Sequence, residues 1–192
     1  MEDHLLSLVR GRHGHFKLES GHHGDVWFDL ETLCLNPSEI RPFAERLAAQ
    51  LKKYQVDVVC GPLVEGAFVA LLVSQELGCQ FAYAERFDDT TRGELFPVRY
   101  RLPKSLHPAV SGKRVVIVND VISAGSAVRG TFFDLREIGA EVVAIAALLA
   151  LGESITEFAT KHDIALELLE RIPNILWKPQ DCPLCAAGIA IE

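Results

Sequence analysis

The hydrophobic positions of this chain follow two periods. Ile40, Phe43, Leu47 and Leu51 recur three or four residues apart, which places them on one face of a helix. That helix is expected to begin at Asn36-Pro37-Ser38, with Ser38 as its cap, and to run to about Tyr54. Beyond it, short apolar runs alternate with helical ones. Val56–Cys60, Phe81–Ala84, Arg114–Val118 and Glu141–Leu151 read as strands; Ala67–Leu77 and Ala127–Ile138 read as helices closed by Gly78 and Gly139. Strands that are apolar throughout and separated by helices predict an α/β fold, a parallel sheet covered on both faces. Before this alternation come a short helix, Leu5–Arg10, and two strand-like runs, His15–Leu18 and Val26–Leu33, interrupted by Gly21 and Gly24. Residues 86–113 break the rhythm: they hold Pro97, Pro103 and Pro108 and one strand, Phe96–Leu102, and predict a mobile loop over a site.

Composition narrows the class. The 192 residues, 49% of them hydrophobic, suit a single domain with a real core. A formal charge of −7 argues against non-specific nucleic-acid binding, which needs a basic face to displace counterions. The longest apolar stretch, Val142–Leu151, is too short to span a bilayer, so no membrane association is expected. The N-terminus lacks the pattern of a secretory signal, and five irregularly spaced cysteines do not make a disulfide framework. A reducing cytoplasm is the expected compartment.

The strongest chemical signal is the run from Val115 to Ala127. Its apolar strand leads into Asn119-Asp120, and Ser123-Ala124-Gly125-Ser126-Ala127 opens the next helix. In open parallel sheets, ligands bind beyond the carboxyl ends of the strands. A small, hydroxyl-rich turn there offers backbone N–H groups and a helix N-terminus to an anion. Gly125 permits close approach, and Ser123 and Ser126 can donate hydrogen bonds. Asn119 and Asp120 suit neutral hydroxyls or a metal better than a phosphate. A lone Ser-Ala-Gly-Ser reads more simply as a capped strand–turn–helix junction; the whole run is more specific. It is neither a Walker loop nor a dinucleotide fingerprint.

Asn119-Asp120-Val121-Ile122-Ser123-Ala124-Gly125-Ser126-Ala127 resembles the signature of type I phosphoribosyltransferases, in particular the orotate branch, which typically reads Asp-Asp-Val-Ile-Thr-Ala-Gly-Thr-Ala. Phe16-Lys17-Leu18-Glu19-Ser20-Gly21 is similar to that branch's N-terminal element, and Val58 to Ala67 to its pyrophosphate loop. The resemblance implies one domain: a core of about 36–163, a hood from about 1–35 and 164–192, and a flexible catalytic loop at about 86–113. It implies an enzyme that joins a nucleobase, orotate or a related base, to the ribose 5-phosphate of phosphoribosyl pyrophosphate (PRPP) and releases pyrophosphate. Asn119 and Asp120 would hold the ribose hydroxyls and act as the catalytic pair. Ser123, Ala124, Gly125, Ser126 and Ala127 would wrap the 5-phosphate. Gly61, Leu63, Val64, Glu65 and Gly66 would present N–H groups to pyrophosphate; Pro62, in the same loop, has none. Arg86 joins this donor-binding set. Mg²⁺ would enter with PRPP, and a homodimer is implied. The alternative is a non-catalytic sensor of PRPP or a nucleotide on the same fold.

Three departures from the orotate branch point the same way. Glu19 stands where the branch commonly has Lys, Glu153 stands near its carboxylate-binding Arg, and Phe87 to Glu94 is acidic where the branch's loop carries Lys and His. A carboxylate in place of a cation repels an anionic base. Arg86, Arg92, Arg99 and Arg101 are the candidates to restore the charge; Arg99 and Arg101 would share one face of a strand. Glu65 is expected to face solvent, with a metal as the other option. Trp27 or Phe28 is a candidate to stack on the base, or either belongs to the core. Cys182 and Cys185 form a single CxxC, half of a zinc site, with Cys34, Cys60, Cys79 or a second subunit to complete it. The simpler reading is two thiols in a C-terminal turn. His13, His15, His22 and His23 lack the spacing of a helical metal motif and read as polar residues of the hood.

Overall fold

The computed structural model describes residues 5–9, 11–88, 95 and 98–192. In chain order the elements are α1 (Leu5–Leu8), β1 (Gly11–Lys17), β2 (His23–Phe28), α2 (Pro37–Leu51), β3 (Val58–Pro62), α3 (Glu65–Leu77), β4 (Gln80–Asp88), β5 (Val98–Arg101), α4 (His107–Val110), β6 (Arg114–Ile122), α5 (Ser126–Ile138), β7 (Glu141–Leu151), α6 (Ser154–Lys161), β8 (Ala165–Ile172) and α7 (Pro183–Ala186). The main sheet has the order β5-β4-β3-β6-β7-β8. Every pairing in it is parallel except β4 with β5. The expected α/β fold is therefore present, with an antiparallel strand at one edge. No helix among the described residues is long and apolar enough to cross a membrane.

The strand order has a direct consequence for binding. From β3 the chain winds to one side through α3 into β4; from β6 it winds to the other side through α5 into β7. Right-handed crossovers in opposite directions put α3 and α5 on opposite faces of the sheet and open a crevice between the ends of β3 and β6. The ladder between these strands ends at Cys60↔Ile117, just before Gly61-Pro62 and Val118-Asn119. One apolar layer packs α2 and α3 on the sheet, with Ile40, Leu47, Val69 and Val73 fully buried. The other packs α5 and α6, with Val128, Phe132, Leu135 and Ile155.

Several boundaries differ from the sequence expectation. Ser38 does not cap α2: Asn36 is the cap position, Pro37 opens the helix, and the Ser38 hydroxyl donates to the Asn36 Oδ1 at 2.7 Å. Proline suits the first helical position because that N–H has no partner in any case. The N-terminal strands are Gly11–Lys17 and His23–Phe28 and form a separate antiparallel hairpin; the expected second run ends instead in a 3₁₀ turn, Leu30–Thr32. Helix α2 ends at Leu51 and passes into a 3₁₀ turn, Lys52–Tyr54, stopped by left-handed Gln55. In the span expected to be a loop, β4 extends to Asp88, β5 covers Val98–Arg101, and α4 follows. Residues 89–94, 96 and 97, including Arg92, lie outside the described residues.

Candidate active site

The turn between β6 and α5 is held from behind. Gly125 adopts φ 82° and ψ 22°, a left-handed conformation that an L side chain resists, and it caps α5. The Ala124 carbonyl accepts from Arg129 Nε at 3.2 Å and from the Ser154 hydroxyl at 3.1 Å. Arg129 also donates to the Ser154 carbonyl at 2.8 Å, and its guanidinium lies 4.6 Å from the Phe158 ring centroid. Two elements behind the turn thus fix its backbone, α5 itself and the start of α6. The N–H groups of the first turn of α5 have no intrahelical acceptor and favour an anion there.

This turn borders a cleft of about 470 Å³. Asn119, Ser123, Ala124, Gly125, Ser126 and Ala127 line one side of it, and Leu63, Val64 and Glu65 come from the loop after β3. Arg86, on β4, also lines it. Gly61, Pro62, Gly66 and Asp120 support the wall without lining it. Gly61 and Pro62 are the last residues of β3, and Gly66 packs on the Asn119 side chain. The Leu63 N–H is engaged by the Ala84 carbonyl at 2.9 Å, and the Leu63–Val64 peptide is cis. Glu65, expected to face solvent, is half-buried in the cleft wall.

Two buried polar atoms in this region have no hydrogen-bond partner among the described residues, Asp120 Oδ2 and Ser123 Oγ. Such atoms are costly unless a ligand completes them. Burial, reinforced by the charge of Glu65, pushes the Asp120 carboxyl up to about 7; hydrogen bonds from the backbone at Val121 and at Asp120 itself oppose the shift.

The far side of the cleft is formed by the N-terminal hairpin and β5. Leu18, Ser20, Trp27 and Phe28 line it, as does Tyr100, whose hydroxyl donates to both oxygens of Glu19 at 3.2 Å. Burial and the Glu19 charge raise the Tyr100 pKa. Among the described lining residues, Glu19, Glu31 and Glu65 face a single basic residue, Arg86.

The chain from residue 36 to residue 184 matches the model of the phosphoribosyl transferase domain. The chain belongs to this family. Among curated proteins, this phosphoribosyltransferase is similar to the orotate phosphoribosyltransferase of Thermotoga maritima, with 30% identity over 93% of this chain and 88% of the relative. It is similar also to the orotate phosphoribosyltransferase of Caldanaerobacter subterraneus, with 27% identity over 93% of this chain and 86% of the relative. Its fold is that of solved members. An adenine phosphoribosyltransferase from Thermoanaerobacter pseudethanolicus superposes with a TM-score of 0.69 at 17% identity, covering 90% of this chain and all of that one. An orotate phosphoribosyltransferase from Aeropyrum pernix gives 0.65 at 20% identity, covering 87% and 93%. The protein is a pentosyltransferase that transfers ribose 5-phosphate from PRPP to a base.

The departures from the orotate pattern have distinct positions in the phosphoribosyltransferase. Glu19 lies in the cleft, tied to Tyr100. Glu153 does not line it and is ion-paired with Arg171 of β8. Arg99 and Arg101 line a second cavity between β5 and α5, and Arg101 lies over the Phe87 ring at 4.2 Å. One grouping leaves no trace in local sequence spacing. His15 and His23, which local spacing marks only as polar residues of the hood, stand beside Cys182 and Cys185; Cys34, Cys60 and Cys79 are not in this cluster. The pairing of β1 with β2, in register Lys17↔His23, is what brings the two histidines together.

Proposed function

We propose that the acceptor is orotate or a related base, bound between the N-terminal hairpin and the cleft mouth, and that the Asn119–Ala127 junction holds the donor. The observation that carries the donor assignment is the pair of orphaned buried atoms, Asp120 Oδ2 and Ser123 Oγ, at a strand–turn–helix junction bordering the cleft. In this reading Ser123 to Ala127 receive the 5-phosphate, and Asn119 and Asp120 take the ribose hydroxyls. The Gly61–Gly66 loop accommodates pyrophosphate through Val64, Glu65 and Gly66 rather than through Pro62 or the engaged Leu63 N–H.

The reaction breaks the anomeric C–O bond to pyrophosphate and forms a bond to a base nitrogen. Positive charge develops on the ribose ring and negative charge on the departing pyrophosphate. Positioning and electrostatic stabilisation therefore supply most of the rate, with no covalent intermediate on the chain. An ionised Asp120 beneath the ribose favours that positive charge. Mg²⁺ fits the donor side, because its preferred ligands are oxygens and it binds largely through substrate phosphates. Glu65 is the carboxylate of the pyrophosphate loop available to it; when bound, the ion neutralises charge on the departing group.

Trp27 and Phe28 offer apolar faces for the base, and Arg86 offers positive charge to an orotate-type carboxylate. A second reading, a sensor that binds PRPP without turnover, draws on Glu19 in the acceptor half. The two part in one assay, pyrophosphate release from PRPP and Mg²⁺ with orotate, uracil and adenine offered separately. Turnover with orotate is expected. Micromolar PRPP binding by calorimetry with no turnover on any of the three bases would establish the sensor instead. A cytoplasmic homodimer completes the proposal. Val64, Phe68 and Leu71, exposed around the N-terminal half of α3, supply apolar surface for a partner subunit.

A further inference from the structure

We propose that His15, His23, Cys182 and Cys185 form a structural zinc site that ties the N-terminal hairpin to the C-terminal tail. Each residue offers one donor atom, and the donor atoms all lie within 4.8 Å of one another. His15 Nε2 is 3.1 Å from His23 Nδ1 and 3.4 Å from Cys182 Sγ; Cys185 Sγ is 3.3 Å from His23 Nδ1 and 3.7 Å from His15 Nε2. A tetrahedral zinc with Zn–S of about 2.3 Å and Zn–N of about 2.0–2.1 Å sets neighbouring donors roughly 3.3–3.8 Å apart. The cluster is already close to that size.

Hydrogen bonding alone serves these groups poorly. His15 Nδ1 is 2.7 Å from the Ile189 carbonyl, so it carries the proton and leaves one lone pair on Nε2. If His23 Nδ1–H fills that lone pair, both thiols lose the acceptor beside them. If the thiols donate to the rings instead, two nitrogen lone pairs face each other at 3.1 Å. A divalent cation removes both conflicts: the two thiols give up their protons and all four lone pairs find one centre. The bond to Ile189 is also the type of contact that fixes a ligating imidazole in its tautomer. Two thiolates and two imidazoles select zinc over the oxygen-seeking Mg²⁺ and Ca²⁺.

The surroundings indicate a structural rather than a catalytic role. His15, His23 and Cys182 are buried. Cys182 is the one buried residue in 173–192, a tail that also meets the hairpin through polar contacts. Among these are reciprocal backbone bonds between His23 and Trp177 at 2.8 and 2.9 Å, and the Glu192 N–H to the His15 carbonyl at 2.8 Å. A metal there would anchor the tail. It would also brace the cleft wall, since Leu18, Glu19 and Ser20 lie between the two histidines and Trp27 follows shortly after. This last consequence rests on the acceptor assignment above; the metal site itself does not.

The test is metal analysis of the full-length protein purified without chelators. About one zinc per chain is expected, falling below about a tenth of that in Cys182→Ser/Cys185→Ser and in His15→Ala/His23→Ala. Cobalt substitution of the wild-type chain should give the visible bands of a tetrahedral cobalt–thiolate centre, a readout that does not depend on the variants folding. Protein that purifies without zinc and neither takes up Zn²⁺ stoichiometrically nor develops those cobalt bands would overturn the site, as would a Cys182–Cys185 disulfide in the freshly purified protein. Where the acceptor assignment also holds, zinc removal should raise KM for the base about tenfold and leave KM for PRPP unchanged. Equal changes in both would reject the bracing role while leaving the zinc measurement intact.

Discussion

Gly66 and Asn119 couple the two halves of the proposed donor cleft: a β-carbon at position 66 would overlap the Asn119 carboxamide oxygen and stand 3.2 Å from the Pro62 ring. The carboxamide cannot simply swing aside, because its Nδ2 donates to the Val121 carbonyl at 2.9 Å. Gly66→Ala must therefore displace either the start of α3 or the end of β6. Overpacking of this kind costs about 1–3 kcal/mol. A lower melting temperature is expected, with PRPP binding weakened at least tenfold in calorimetry. Wild-type PRPP affinity in a folded Gly66→Ala variant would take Asn119 out of the site.

Asp120 makes stability depend on pH in a definite direction. Its carboxyl titrates near 7 when folded and near 3.8 as a free side chain, so between those values the native state holds a proton that the unfolded chain has released. Stability of the ligand-free protein then falls as pH rises from about 4 to about 7 and flattens above that range. Asp120→Asn should remove this slope. At pH 8 it should raise the melting temperature of the ligand-free protein by roughly 2–4 °C per kcal/mol recovered, while PRPP binding weakens. Chemical denaturation across that pH range measures the first effect and calorimetry the second. A variant that is less stable than wild type at pH 8 would refute the strained-carboxylate account.

The β6–α5 junction was legible in the sequence because it is contiguous: the strand, its polar end, the small turn and the helix occupy Val115 to Ile138. The sheet was legible for the same reason, as runs such as Val142–Leu151 are buried on both faces and carry no polar residue. What was hidden depends on pairing between distant segments. His15 and Cys182 come together across most of the chain, and no local spacing announces it. Glu153 looked like an acid left in a binding site until β8 set Arg171 against it. Ser38 does not take the cap position that local sequence suggests, because Pro37 competes for the start of α2 and wins through its fixed backbone angle.

The Glu19–Tyr100 pair places a carboxylate in the proposed acceptor half. Glu19→Lys replaces a carboxylate with a cation in a lining where Arg86 is otherwise the basic residue among those described. An anionic base should then bind better. KM for orotate is expected to fall about threefold to tenfold, by screened charge interactions at an exposed side chain, with KM for PRPP unchanged. Steady-state kinetics with each substrate varied in turn gives both values. A rise in KM for orotate would mean that the base sits away from Glu19.

Arg129 and Ser154 predict a separable effect on the turn proposed for the 5-phosphate. Both donate to the Ala124 carbonyl, at 3.2 and 3.1 Å, and the guanidinium is itself held by the Ser154 backbone. Drawing that carbonyl back leaves the neighbouring N–H groups and the start of α5 as the polar surface of the turn, the arrangement an anion needs. Ser154→Ala removes its own bond to that carbonyl and the one its hydroxyl accepts from Arg129 at 2.9 Å but leaves the arginine in place, so a loss of about 1–2 kcal/mol in stability is expected. Arg129→Ala removes both the hydrogen bonds and the cation packed on Phe158 and should cost about 2–3 kcal/mol. Because neither side chain is assigned a contact with the ligand, the effect on binding should be confined to the phosphate end. Ribose 5-phosphate and inorganic phosphate should each bind several-fold more weakly, while pyrophosphate, assigned to the loop after β3, is unaffected. Calorimetry with the three ligands reads this pattern directly, and equal weakening of pyrophosphate would place the phosphate and pyrophosphate sites on one shared turn.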